Sequence, residues 1–197
     1  MAIEEHQPLS SAMLKQFQAL TPHPNLAAIL DQSTDDTGNY FLIVEYVAGP
    51  LLNQLPVPAP DAAAVQLARE LVLIVNDLNE RGWGLQAARF WAAESLNRFQ
   101  KAFALNAQGR LMLFDYTVLE NLPETPRERA ERIKRDVYWV AKTLYWLAAG
   151  EELGRKLEAV KRGESANQLL IRVLLDAIRD AQPALAKLAA NLARLSV

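Results

Sequence analysis

Asp115 is the residue whose type and position most clearly suit a chemical role. It follows a mostly apolar run over residues 110–114. The polar turn NAQG separates this run from a second apolar run over 102–106. The pattern therefore predicts a hairpin that ends on a carboxylate. A single carboxylate in this place can cap a strand end or, through water molecules, hold Mg²⁺ weakly. We expect the capping role.

Other groups that carry out chemistry are scarce. The chain has no Cys, and therefore no disulfide and no thiolate metal site. His6 and His23 are too far apart in sequence to indicate a shared metal ion, and His23 is expected to pack at a turn. Asn97 precedes the hairpin, and its amide can form hydrogen bonds but cannot take a proton near neutral pH. We interpret Asn97 as a turn residue.

Composition and charge narrow the classes of function. The chain is 51% hydrophobic and 22% charged, which is ordinary for a globular protein, and no apolar run is long enough for a membrane span. Residues 1–68 carry one basic and seven acidic groups, a net charge of −6. The remaining residues carry twenty basic and sixteen acidic groups, a net charge of +4. Neither part is basic enough to indicate nucleic-acid binding. Lacking Cys and an apolar leader, the protein is expected in the cytoplasm.

The first part of the chain predicts a small unit of one helix and two strands. Met13, Phe17 and Leu20 are spaced as on one helix face over 11–20, and Pro residues follow. Residues 26–31 and 39–47 are β-rich and are joined by STDDTG, which predicts a hairpin. We assign this unit to residues 1–49.

A Pro-rich linker over 50–60 separates that unit from a helical body over 61–197. The body opens with a helix from Asp61, which ends before Gly82. Residues 85–94 are predicted to form another short helix. Residues 123–135 are charged, and they are either irregular throughout or helical at their end. The fold class is therefore α+β and mostly α.

The second half of the body is predicted to be helical. The helix over 136–149 has apolar residues every three or four positions, so we expect it at the centre of the core, with Trp139, Tyr145 and Trp146 as packing residues. Asp136 suits the N-terminus of this helix, where a carboxylate offsets the helix dipole. Further helices are expected over 151–162, 165–181 and 184–195.

Five segments in this order resemble conserved parts of protein kinases. The segments are HPNL (23–26), LIVEYVAG (42–49), LNERG (78–82), NAQGRLMLFD (106–115) and DVYWVAKTLY (136–145). The resemblance implies a kinase-like helical C-lobe with a small hairpin, preceded by a remnant of the N-lobe. It also implies that Asp136 anchors the backbone of the catalytic loop.

The resemblance fails at the residues that transfer phosphate. Kinases need a Gly-rich loop, a strand Lys, a catalytic Asp and two metal ligands. The segment that would carry the first two is missing. Counting back from Asp115, the loop motif falls on residues 95–97, with Asn97 in place of the base and Ala102 in place of the metal-binding Asn. An insertion over roughly 83–94 precedes it. Among these groups only Asp115 is retained.

The resemblance therefore implies a pseudokinase-like scaffold or regulator, with no cofactor, that binds a protein partner or a second copy of itself. Alternatives are an atypical phosphotransferase or nucleotide-binding switch using Asp115, and a half-protein that a partner chain completes. Trp83 and Trp91 either fill the vacated cleft or form a partner surface. The basic run near 127–135 is either a solvated face or a docking patch. The candidate interaction residues are Phe41, Ile43, Trp83, Trp91, Arg127, Arg129 and Arg132.

Overall fold

The computed structural model describes residues 11–38, 40–85, 95–150, 166–179 and 185–195. The helices are α1 (Ser11–Gln18), α2 (Asp61–Glu80), α3 (Ser95–Lys101), α4 (Pro126–Ala149), α5 (Ala166–Arg179) and α6 (Leu185–Ala193). The strands are β1 (Ile29–Thr34), β2 (Tyr40–Val44), β3 (Trp83–Leu85), β4 (Phe103–Leu105), β5 (Leu111–Leu113) and β6 (Leu119–Asn121). The architecture is α+β and mostly helical, as the sequence predicts. No helix in these ranges is long and apolar enough to cross a bilayer.

The strands pair as three separate two-stranded antiparallel sheets, β1–β2, β3–β6 and β4–β5. The two predicted hairpins are confirmed, and Gly109 takes a φ of 73° in the turn between β4 and β5. The sheet of β3 and β6 was not predicted. Leu85, expected to begin a helix, instead ends β3 and pairs with Leu119. Residues 86–94, where the rest of that helix and Trp91 were placed, lie outside the described residues, as does the helix predicted over 151–162.

The core is built around α2 and α4. The helix that the sequence predicts from Asp61 is α2, and the apolar stripe on which that prediction rests is buried: Leu67, Leu71, Ile74, Val75 and Leu78. α4 packs against both α2 and α5, while α6 packs against α2. The expected core positions of α4 are confirmed, since Val137, Val140, Leu144 and Leu147 are all buried. This part of the fold follows from helical periodicity alone.

The start of α4 was predicted wrongly. The helix begins at Pro126, ten residues before Asp136, and Thr125 caps it by accepting a hydrogen bond from the Glu128 N–H. Asp136 is therefore in the interior of the helix and not at its N-terminus. The TPRE stretch carries a Thr, a Pro and a Glu at the spacing of a capped helix start, and this signal outweighs the charged composition that suggested an irregular segment.

The N-terminal helix and hairpin are joined to the body through β5. Asn25 O accepts a hydrogen bond from Leu113 N at 2.9 Å, and Ala27 N donates to Leu113 O at 2.8 Å. The Asn25 side chain donates to Leu111 O at 2.8 Å. Phe17 of α1 is fully buried, in the same core as α2 and α4. The hairpin thus gains the packing that an isolated pair of strands lacks.

Residues 50–60 lie against the body at both ends. Leu105 N donates to Pro50 O at 3.0 Å, and Ala59 N donates to Leu147 O at 2.8 Å. A Cβ on Gly49 would lie 2.1 Å from Leu105 O, so only Gly permits this close approach. The segment contributes to the core as well, because Leu52 is fully buried. The division into units at 49 and 61 stays a prediction.

Candidate functional site

Asp115 lies directly after β5 and caps a single 3-10 turn over Tyr116–Val118. Its Oδ1 accepts hydrogen bonds from Thr117 N at 3.0 Å and from Thr117 Oγ1 at 2.6 Å. The Asp115 N–H donates to Ala102 O. The sequence predicted such a capping role, and the carboxylate is engaged within its own turn.

The two other positions compared with kinase catalytic groups are also held by structural contacts. Ala102 is fully buried and offers only its backbone carbonyl, which Phe114 N and Asp115 N both contact. Asn97 is exposed in the first turn of α3, and its Oδ1 accepts a hydrogen bond from Asn53 Nδ2 at 2.6 Å. The prediction that Asn97 occupies a turn was wrong, because the residues from Ser95 onward form a helix.

Asp136 lies in a buried polar network, and the sequence did not indicate its partners. The carboxylate is fully buried on α4. Oδ2 accepts a hydrogen bond from Asn79 Nδ2 at 2.8 Å, and Oδ1 accepts one from Leu85 N at 3.2 Å. Asn79 Nδ2 also donates to Trp83 O at 2.9 Å. Together these contacts tie α4 to the end of α2 and to β3.

Burial, opposed by the hydrogen bonds from Asn79 and Leu85, raises the pKa of Asp136 to about 7. Glu120 adds to the increase, whereas Arg132 opposes it. A desolvated carboxylate is unfavourable when ionised. The network therefore costs electrostatic free energy, but its hydrogen bonds hold Asp136 in a defined position. Gly84 is part of the same arrangement, since a Cβ there would lie 3.2 Å from Asp136 Oδ2.

His23 packs at the turn after α1, as predicted, and both of its ring nitrogens are engaged. Nδ1 accepts a hydrogen bond from Asn25 N at 3.0 Å, and Nε2 lies 3.1 Å from Asp77 Oδ2. Burial lowers the pKa of His23, although the neighbouring Asp77 opposes this. The same Asp77 oxygen lies 2.8 Å from Arg81 Nε. This group joins α1 to α2 and leaves no ring nitrogen for acid–base chemistry.

Aromatic packing accounts for the position of the Trp83 side chain. Its side chain is only 4% exposed, and its ring centroid lies 4.9 Å from that of Phe17. Phe17 in turn lies 5.5 Å from Tyr116, whose hydroxyl donates to Ala27 O at 2.6 Å. Trp83 therefore packs mainly in the interior, which does not support a partner surface at this residue. That it fills a vacated cleft stays a prediction. Trp91 lies outside the described residues.

The three candidate arginines differ in their surroundings. Arg129 Nη2 donates to Asn79 O at 2.9 Å and so covers a carbonyl at the end of α2. Arg132 forms an ion pair with Glu120 of β6, and both side chains are largely buried. Arg127 is exposed in the first turn of α4. A docking patch formed by all three is not supported, because two of them bind within the chain.

Phe41 and Ile43 are apolar candidate interaction residues that lie at the surface. They lie on the outward face of β2 with 50% and 46% of their areas exposed. A cleft of about 510 Å³ lies elsewhere and is lined by Gln16, Ala19, Leu20, Arg81, Trp83 and Asn121. Neither Asp115 nor Asn97 lines that cleft.

In the ranges that the structure describes, no three or more His, Cys, Asp or Glu side chains are arranged to hold a metal ion. No family model matches this chain, and no curated protein matches it.

Proposed function

We propose that this protein is a non-catalytic, pseudokinase-like binding protein that acts through contacts with another protein. The observation that carries the proposal is the state of Asp115. This acid is the one phosphotransfer group that the resemblance retains, and its Oδ1 is occupied by both donors of Thr117. A kinase uses the corresponding acid to hold a metal ion on the phosphates.

The contact between Asp136 and Leu85 supports the kinase-like part of the proposal. The resemblance implies that an acid at this position anchors the backbone of the catalytic loop, and Asp136 Oδ1 accepts a hydrogen bond from Leu85 N. Under the proposal the loop therefore begins at Leu85, ten residues before Ser95. The insertion then follows the start of the loop and does not precede it.

This revised alignment also removes the catalytic base. In this alignment of the sequence, the three loop positions correspond to Leu85, Gln86 and Ala87 in place of residues 95–97, and Ala87 corresponds to the base. A methyl group can neither accept a proton nor form a hydrogen bond. Both alignments leave the protein without the acid that activates a substrate hydroxyl, so the proposal does not depend on which alignment holds.

Contact with a protein partner is supported by the hairpin of β1 and β2. Leu42 and Val44 pack on the core while Phe41 and Ile43 remain outside. Exposed apolar groups on an ordered strand are typical of surfaces that another chain covers.

The proposal is tested by measuring thermal unfolding with and without Mg-ATP and Mg-GTP, together with phosphate transfer to generic protein substrates. A ligand at one hundred times its Kd stabilises a protein by about 2.7 kcal/mol, which raises the Tm of a chain of this size by roughly 5–10 °C. We expect no increase and no transfer.

Asp115→Asn is the matched variant for this experiment. Magnesium-dependent transfer or stabilisation by the wild type, lost in Asp115→Asn, would contradict the proposal and favour an atypical phosphotransferase or nucleotide switch. Activity that appears only when a second chain is added would indicate a half-protein.

A further inference from the structure

No further strand lies along the β2 edge of the hairpin in the residues that the structure describes. Within the described parts of the chain, β2 pairs only with β1, in a register that runs from Thr34 opposite Tyr40 to Ile29 opposite Val44. In an antiparallel pair, alternate residues of each strand direct their N–H and C=O groups away from the partner. The outer side of β2 therefore offers backbone donors and acceptors to a further strand.

The two faces of the hairpin are both apolar but differ in exposure. Leu42 and Val44 pack against the core, which fixes the strand on the body. Phe41 and Ile43 lie on the opposite face, and Leu30, at the bulge of β1, is 65% exposed beside them. A strand that joined β2 would extend this apolar face, and its own side chains on that face would pack beside Phe41 and Ile43.

The charged residues of the hairpin, and those that follow it in the sequence as far as residue 68, are all acidic. Residues 16–68 contain no Lys or Arg. Asp35 and Asp36 lie at the turn end of β2, Glu45 follows the other end, and Asp31 pairs with Ile43 across the sheet. Two copies of this hairpin would bring acids together, whereas a strand with basic ends would be attracted at both ends of β2.

We propose that the β2 edge binds an extended segment of a partner protein as a third strand, and that this segment has alternating apolar residues at its centre and Lys or Arg at both ends. Backbone hydrogen bonds supply the pairing, the apolar residues cover Phe41 and Ile43, and the basic residues lie near Asp36 and Glu45. This inference rests on the proposed function, because it specifies the partner that such a binding protein takes.

The test uses synthetic peptides and the full chain. The probe is a fluorescein-labelled peptide, KKVTVTVKK, and its affinity is measured by fluorescence anisotropy at low and at physiological salt. EEVTVTVEE reverses the charge, and KKVTPPVKK keeps the charge but removes neighbouring backbone donors. We expect the first peptide to bind at least about tenfold more tightly than either control.

Protein variants locate the binding site. Ile43→Lys and Asp36→Lys should each weaken binding of KKVTVTVKK by about tenfold or more, and Asp36→Lys should improve binding of EEVTVTVEE. Leu73→Lys is the matched control, because Leu73 is an exposed apolar residue of α2. It should leave binding unchanged. Circular dichroism and Tm verify that each variant is folded.

Amide hydrogen exchange provides a measurement that needs no substitution. Bound KKVTVTVKK should slow exchange in residues 41–44 of the wild type, because outward N–H groups become paired. Equal binding of the Pro-containing peptide, or unchanged exchange over 41–44, would overturn the inference. So would a wild-type dimer in light scattering that Ile43→Lys converts to monomer, since the occupant would then be a second copy. None of these outcomes changes how the nucleotide test of the proposed function is interpreted.

Discussion

Replacing Asp136 with Asn should change how the stability of the protein depends on pH. In the folded state burial raises the pKa of Asp136 to about 7, whereas an exposed Asp in the unfolded chain has a pKa of 3.8. Between these values the unfolded chain has lost a proton that the folded protein still holds. The free energy of unfolding then falls as the pH rises.

The size of the effect follows from the difference between the two pKa values. Each pH unit between about 4 and 7 lowers the free energy of unfolding by about 1.4 kcal/mol, so the total is about 4 kcal/mol. This contribution is fully present below pH 4 and is lost above pH 7. Asp136→Asn removes it at every pH, because the amide does not titrate.

The variant also changes the hydrogen bonds. An amide at position 136 can still accept from Leu85 N, but its nitrogen would face the donor Asn79 Nδ2. A buried donor left unpaired costs about 1–3 kcal/mol. We therefore expect Asp136→Asn to be less stable than the wild type at pH 4.5, and to become equal to or more stable than it near pH 8.

Urea unfolding followed by tryptophan fluorescence, at several pH values from 4.5 to 8, measures this crossover. Asp176→Asn is the control, because Asp176 is exposed on α5. That variant should follow the wild type throughout. If Asp136→Asn stays parallel to the wild type across this range, Asp136 is ionised in the folded protein and the reasoning from burial is refuted.

Three further substitutions test the core, the packing around Asp136 and the catalytic positions. Leu144→Ala should lower the free energy of unfolding by about 2–5 kcal/mol in urea titrations, whereas Arg127→Ala, at an exposed site, should change it by less than about 0.5 kcal/mol. If both variants changed the free energy of unfolding by equally small amounts, the core would lie elsewhere than at Leu144. Gly84→Ala should cost about 1–3 kcal/mol and lower the Tm, because the added Cβ would lie 2.6 Å from Leu122 Cδ2; an unchanged Tm would mean that β3 shifts freely. Asn97→Asp should create no phosphate transfer in a radiolabel assay, and measurable transfer would show that Asn97 occupies the base position after all.

The elements that could be predicted from the sequence are those with enough residues to show a period. The stripe of α2 and the apolar positions of α4 repeat over several turns, so the pattern distinguishes a buried face from an exposed one. The turn before β5 was predicted for a different reason. Gly109 and the polar residues before it match the backbone conformation that a tight turn requires.

Short strands and distant contacts could not be predicted in this way. β3 and β6 have three residues each, which is too short for alternation to appear, and Gly84 weakened the strand signal further. The Asp136 network joins residues 57 positions apart, and nothing local to Asp136 indicates Asn79 as its partner. The burial of Trp83 could not be predicted for the same reason, because its packing partner Phe17 comes from a helix far away in the chain.

The pairing of residues 25–27 with β5 has a consequence for how the protein is made. The Asn25 side chain bonds to Leu111, 86 residues later in the chain. At about 5–20 residues per second, the ribosome needs roughly 4–17 s to add those residues. During that interval the nascent hairpin cannot pair with β5, and the core on which Leu42 and Val44 pack is incomplete because α4 has not been made. A helper protein that binds nascent apolar strands would act on this segment first, and slower translation between these positions should increase aggregation.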